Sequence, residues 1–236
     1  MKHIFFDLDR TLWDFDENSK AALVLLFDEL NLDHHLPSFQ RFYTAYTKIN
    51  AKLWHLYGTG KMEKSVLRVK RFSDSFIQFD FDNTETAELM AKRYVEVSPY
   101  QTRLFPNSIN VLQELKNSGF ELHIITNGFK EVQHIKLKES KLTDFFNVIL
   151  CSEEVGKNKP AKEVFHEALS RANAKAHESI MIGDDYFVDV IGAENCGIKG
   201  VLFDPKKIQR QGTHEWHISD LAEIPGLIPW MAKPSV

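Results

Sequence analysis

The sequence predicts an α/β protein: a parallel sheet with helices on both faces, interrupted by an inserted bundle of helices. Three observations carry this. Short apolar runs of strand length alternate with helical stretches through the second half of the chain. One strand-like run stands alone at the beginning. Between them, residues from about 15 to 100 show helical periodicity and no obvious strand.

The first run is His3-Ile4-Phe5-Phe6. The later ones are Glu121 to Ile125, Asn147 to Leu150, Ser179 to Ile182 and Gly200 to Phe203. They are nearly continuous in apolar character, as strands covered on both faces must be. Asn107 or Ser108 can cap a helix that carries Val111, Leu112 and Leu115 and stops at Gly119. Pro160 can open another, carrying Val164, Phe165 and Leu169. The insertion holds four stripes at spacings of three, four or seven: Leu23/Leu26/Phe27/Leu30, Phe39/Phe42/Tyr43/Tyr46/Leu53, Met62/Val66/Val69/Phe72 and Ala87/Met90/Tyr94/Val97. Four amphipathic helices in succession suggest a small bundle, residues 15–100, between core segments 1–14 and 101–236.

Composition narrows the function. The net charge of −4 gives no means of capturing nucleic acid or an anionic membrane. The two cysteines, Cys151 and Cys196, have no metal-ligand spacing and read as small core residues in a reducing compartment. Acidic residues arrive at Asp7 and Asp9, so the beginning does not read as a signal peptide, and Ala21 to Phe27 is too short to span a bilayer. The expectation is a cytoplasmic enzyme with a small-molecule substrate.

Asp7 and Asp9 close the first strand, and side chains two apart on a strand share a side. Asp184 and Asp185 follow Gly183 at the end of the fourth, with Asp189 close behind. Thr126-Asn127-Gly128 ends the second strand, and Lys159-Pro160 precedes the helix after the third. Each piece alone is an ordinary turn former, helix cap or surface lysine. Together they bring polar groups to one edge of one sheet, where open parallel sheets bind ligands.

In that order, FDLDRT, ITNG, KP with the downstream Phe165, and GDDYFVDV resemble the four motifs of the haloacid dehalogenase superfamily of phosphohydrolases, over essentially the whole chain. The resemblance implies a Rossmann-like core with a mobile cap inserted after the first motif. It implies that Asp7 is a nucleophile forming an aspartyl-phosphate, and that Asp9 protonates the leaving oxygen and then activates water. Thr126 and the Asn127 amide would hold phosphoryl oxygens, and Lys159 would neutralise charge on Asp7 and the transferring group. Asp7, Asp184 and the Asp9 carbonyl would bind Mg2+. Asp185 and Asp189 would support the site, with their roles left open between them, and Thr11 would orient Asp7 or cap a turn.

Electrostatics asks for the same parts. A carboxylate facing one unit of negative charge at ~4 Å is repelled by about 4 kcal/mol at an effective dielectric near 20, and a phosphate dianion roughly doubles that. A hard divalent cation with oxygen ligands and one positioned lysine offset it.

In the insertion, Trp54 and Tyr57 lie beside Gly58-Thr59-Gly60, where they could stack on a nucleobase; the other aromatics read as bundle core. Gly58-Thr59-Gly60-Lys61 is not a P-loop, because position 55 is His and position 62 is Met. Asn50 to Trp54, the Gly58–Lys61 turn, ITNGF and SEEVG are similar to the pyrimidine 5′-nucleotidase branch. That implies a nucleotide as the phosphate ester. The alternatives are a sugar-phosphate phosphatase or a phosphomutase resembling β-phosphoglucomutase, then a 2-haloacid dehalogenase or a non-enzymatic binding protein. Asp9 argues against the dehalogenase, which needs no acid at that position.

Overall fold

Strand order decides where this chain can hold a ligand. The computed structural model describes residues 1–208 and 216–231; the rest of the expected core segment 101–236 lies outside the described residues. The chain divides into two units, Met1–Phe15 with Arg103–Val236, and Asp16–Thr102.

The first unit is built on a six-stranded sheet ordered β3-β2-β1-β4-β5-β6. β1 is His3–Phe6, β2 Glu121–Thr126, β3 Phe146–Cys151, β4 Ser179–Gly183, β5 Lys199–Phe203 and β6 His217–Ile218. All pairings are parallel. The sheet grows outward from β1 to β3, then returns to β1's other side to place β4. β1 and β4 therefore flank the switch point, where the connections leave in opposite directions and open a crevice beyond the strand ends. Phe6, the last residue of β1, pairs with Ile124 on one side and Ile182 on the other, and β2 runs two residues and β4 one residue past that level.

β1 has both faces covered, which explains its unbroken apolar run. Ile4 and Phe6 pack into a cluster with Leu112, Leu115 and Leu137, fed by helices α5 (Ser108–Asn117) and α6 (Lys130–Glu139). Phe5 packs on the other face with Val164, Phe165 and Ala168 of α7 (Lys162–Arg171). A short turn α8 (Gly192–Glu194) and α9 (Ile224–Met231) complete this unit's helices among the described residues.

Two expected helix starts are realised differently. Asn107 precedes α5 in a left-handed conformation, and its side chain donates to Asp220 Oδ1 (2.8 Å) rather than capping the helix. Pro160 follows a cis peptide bond and lies ahead of the first turn of α7, which begins at Lys162.

The second unit is a bundle of α1 (Phe15–Glu29), α2 (Phe39–Gly58), α3 (Lys64–Ile77) and α4 (Thr84–Val97). Ser38 and Asn83 cap α2 and α4 by accepting from backbone amides three residues on. The expected stripes on α1, α2 and α4 turn inward, with Leu23, Leu26, Phe42, Tyr46, Met90 and Tyr94 in one cluster. The stripe drawn on α3 is displaced. Met62 precedes the helix, and Val66 is 47% exposed. The buried face is Leu67, Arg71, Phe72, Ser75 and Phe76, about one position further around the helix. A buried arginine and serine hid that face from a search for apolar periodicity. No helix among the described residues is long and apolar enough to cross a membrane.

Candidate active site

Four strand ends deliver the site. Asp7 follows β1 and its amide donates to the Ile182 carbonyl of β4 (2.9 Å), which ties the two strands together at the switch point. One oxygen from each of the Asp7, Asp184 and Asp189 carboxylates falls within 4.8 Å of the others. Asp7 and Asp189 are buried.

Lys159 fills the centre. Its ammonium donates to Asp7 Oδ1 (2.8 Å), Asp189 Oδ1 (2.6 Å) and the Ile125 carbonyl (2.7 Å), so its three donors are used. It is 2% exposed. Burial alone would lower its pKa, yet Asp189 and Asp7 hold it above the ordinary lysine value. Asn127 fixes this loop: its Oδ1 accepts from the Lys159 amide (2.8 Å) and its Nδ2 donates to the Lys159 carbonyl (3.1 Å). The Asn127 side chain is thereby engaged with Lys159, a task distinct from the amide role that the motif implies.

Lys159 serves two of the three carboxylates, Asp7 and Asp189, while Arg10 eases the charge on Asp184. Burial raises Asp7 to about 7, with Lys159 opposing and Asp189 and Asp9 adding to the rise. Asp184 is pushed up by burial and by Asp7 and Asp189. A cluster of carboxylate oxygens in which burial disfavours the ionised form fits a hard divalent cation.

The division between Asp185 and Asp189 is now visible. Asp185 is exposed, and its Oδ1 accepts from the amides of Phe187 (3.0 Å) and Val188 (2.9 Å), capping the helical turn Tyr186–Ile191. Asp189, one turn later, points back to Lys159 and accepts from the Asp185 amide through Oδ2 (3.1 Å). Gly183 permits this return, because a Cβ there would lie 2.3 Å from Asp189 Oδ2.

The Asp9 carboxylate turns to a different set of partners. Gln133 Nε2 donates to Asp9 Oδ2 (2.8 Å) and to Thr126 Oγ1 (2.7 Å), and Lys136 Nζ lies 2.6 Å from Asp9 Oδ1. Lys136 sits 4.0 Å above the Trp13 ring, and burial pulls its pKa down against the favourable pull of Asp9. Gly128 leaves the room Gln133 needs, since a Cβ would meet its amide at 2.1 Å. Sequence reading missed Gln133 and Lys136. The available signal was their place on the stripe with Val132 and Leu137, where a buried helix face calls for apolar residues.

Thr11 is fully buried and its Oγ1 has no partner among the described residues, so the hydrogen bond to Asp7 is not made here. Trp54 and Tyr57 belong to the helical unit, at the end of α2, with their rings edge to face 5.5 Å apart. A second group, His3, Glu121 and His123, lies at the opposite ends of β1 and β2; its two imidazoles approach to 3.2 Å, within hydrogen-bonding distance.

Comparison with known proteins agrees with this architecture. The profile of the haloacid dehalogenase-like hydrolase family matches residues 4–203. Ribulose-1,5-bisphosphate 5-phosphatase of Halopiger xanaduensis is 30% identical, over 95% of this chain and 98% of that one. Pyrimidine 5′-nucleotidase YjjG of Escherichia coli is 29% identical, over 95% and 96%. The crystal structure of Bacillus subtilis YfnB, bound to magnesium, superposes with a TM-score of 0.87 at 27% identity, covering 97% of this chain and 98% of that one.

Proposed function

Because this chain belongs to the haloacid dehalogenase-like hydrolase family, we propose that it is a magnesium-dependent phosphatase that works through an aspartyl-phosphate on Asp7, with a nucleoside 5′-monophosphate as substrate. The observation that carries the catalytic part is the trio Asp7, Asp184 and Asp189 at the switch point, with Lys159 bonded to Asp7 and Asp189.

In this reading Asp7 attacks phosphorus in line with the ester oxygen, forming the Asp7–phosphorus bond as the ester bond breaks. Asp9 gives the leaving oxygen a proton and later takes one from the water that releases phosphate. Gln133 and Lys136 orient Asp9 for both steps, and Gln133 ties it to Thr126, which would face the phosphoryl oxygens together with the Asn127 amide. Lys159 stays charged, held by Asp7 and Asp189, and stabilises negative charge as it passes from substrate to Asp7. Asp7 and Asp184, with the Asp9 carbonyl, would hold the cation. When bound, Mg2+ supplies Lewis-acid neutralisation of the phosphoryl group and carboxylates.

The proposed cation leads to a pH signature. Asp7 and Asp184 are raised above the ordinary carboxylate value. The native state therefore holds more protons than the unfolded chain between about pH 4 and 7, and the metal-free protein loses stability as pH rises through that window. A cation that takes the place of those protons binds better as pH rises. The rise in melting temperature on adding Mg2+ is expected to be larger at pH 8 than at pH 5. An equal rise at both would remove the cation from this trio.

The nucleotide assignment is supported by the likeness to a pyrimidine 5′-nucleotidase; the likeness to a sugar bisphosphate phosphatase supports the second reading, a sugar-phosphate phosphatase. Phosphate release from a panel of nucleoside monophosphates, sugar phosphates and phosphoglycolate, with and without Mg2+, separates them. Pyrimidine monophosphates are expected to give the highest kcat/KM. Sugar phosphates ranking first would transfer the assignment to the second reading and leave the chemistry in place.

A further inference from the structure

Two histidines at the start of the sheet are not used by the Asp7 chemistry. His3 opens β1 and stands directly across from Glu121, the first residue of β2. His123 follows two residues later on β2, so its side chain shares the sheet face of Glu121. Register alone therefore gathers two imidazoles and a carboxylate on one face, within one unit of the chain.

The side-chain geometry matches a three-ligand metal centre. His3 Nδ1 lies 3.2 Å from His123 Nε2 and 3.8 Å from Glu121 Oε2. One ligand atom from each of the three falls within 4.8 Å of the others. Two imidazole nitrogens bound to one tetrahedral ion at about 2.0–2.1 Å stand about 3.3 Å apart. The rings are thus already at ligating distance. Each has only to turn so that its lone pair meets the ion, keeping its single proton on the far nitrogen.

The surroundings favour the ligating form. Both histidines are buried, and Phe5 stacks on the His123 ring with centroids 4.7 Å apart. Burial and His3 push His123 down to about 4, so its neutral form prevails at neutral pH. The Glu121 side chain is 54% exposed, which gives an ion a path from solvent. Two nitrogens and one oxygen suit a borderline cation, unlike the all-oxygen trio at Asp7. His123 Nδ1 has no hydrogen-bond partner among the described residues. An outer bond of that kind typically contributes about 10–100-fold, so the affinity is expected to fall below that of a four-ligand structural zinc site.

We propose that His3, His123 and Glu121 form a metal centre, separate from the Asp7 trio, that takes Zn2+ with water completing its coordination and clamps β1 to β2. It stands whether or not the Asp7 site turns over.

The test titrates metal-free protein with Co2+, the spectroscopic substitute for Zn2+, in excess Mg2+ that keeps oxygen-only sites filled. The wild type is expected to develop the intense visible absorption of low-coordinate, nitrogen-bound cobalt at one equivalent, and Zn2+ is expected to bleach it. His3→Gln and Glu121→Gln are each expected to weaken cobalt binding by about tenfold or more. In thermal melts, Zn2+ is expected to raise the wild-type melting temperature and to leave His3→Gln nearly unmoved. Absence of the cobalt band in the wild type would overturn the proposal. So would a band and a zinc shift unchanged in both variants. Glu121→Gln, at an exposed side chain, keeps the test decisive if His3→Gln does not fold.

Discussion

Asp7→Asn is expected to lower kcat by roughly 10⁴-fold or more, because in the proposed mechanism it removes the atom that bonds phosphorus while leaving its surroundings in place. The amide keeps an oxygen that can accept from Lys159, now at 2.8 Å from Asp7 Oδ1. It also removes one of three mutually repelling carboxylates. The folded state should therefore survive nearly unchanged, and circular dichroism with a melting curve checks this alongside the rate. A variant that kept turnover within tenfold of the wild type would take the nucleophile's role away from Asp7.

Lys159→Met is expected to be the most damaging single change to stability at the site. Lys159 is in contact with Asp7, Asp189 and the Ile125 carbonyl, and is almost completely buried. Without it, two buried carboxylates face each other unneutralised. Breaking a buried ion pair from one side costs about 3–5 kcal/mol. The sign of the pH dependence follows from the direction of the shifts. Asp7 and Asp189 already sit above their ordinary values, and loss of the ammonium raises them further. The variant's native state then holds its protons to higher pH than the unfolded chain, so the deficit should grow from pH 5 to pH 8 in urea unfolding. Lys159→Arg should not restore the wild-type behaviour, since a side chain 1% exposed leaves no space for a larger planar head.

Much of this was legible in the sequence, for identifiable reasons. Five strands announced themselves because both faces of the sheet are covered, so residues 4–6 and 180–182 are apolar without interruption. β6 did not, because a two-residue strand carries no periodicity. Asp7, Asp184 and Lys159 could be placed together because strand ends at a switch point converge whatever the loops do. Asp185 and Asp189 could not be told apart by spacing alone: they sit one helical turn apart, and only the direction of the chain after Gly183 makes one a cap and the other a partner of Lys159. Gln133, Lys136 and Arg71 escaped for a shared reason. Each is a polar residue on a buried helix face, and a search for apolar stripes passes over such positions.

The central claim is covalent: phosphate passes to the side chain that follows β1. The direct measurement is mass spectrometry of peptides from enzyme quenched in acid during turnover of a phosphate ester with Mg2+. A phosphoryl adduct is expected on the peptide containing Asp7, and absent from Asp7→Asn treated in the same way. Rapid phosphate release with that peptide unmodified at every quench time, or an adduct on another residue, would contradict the account.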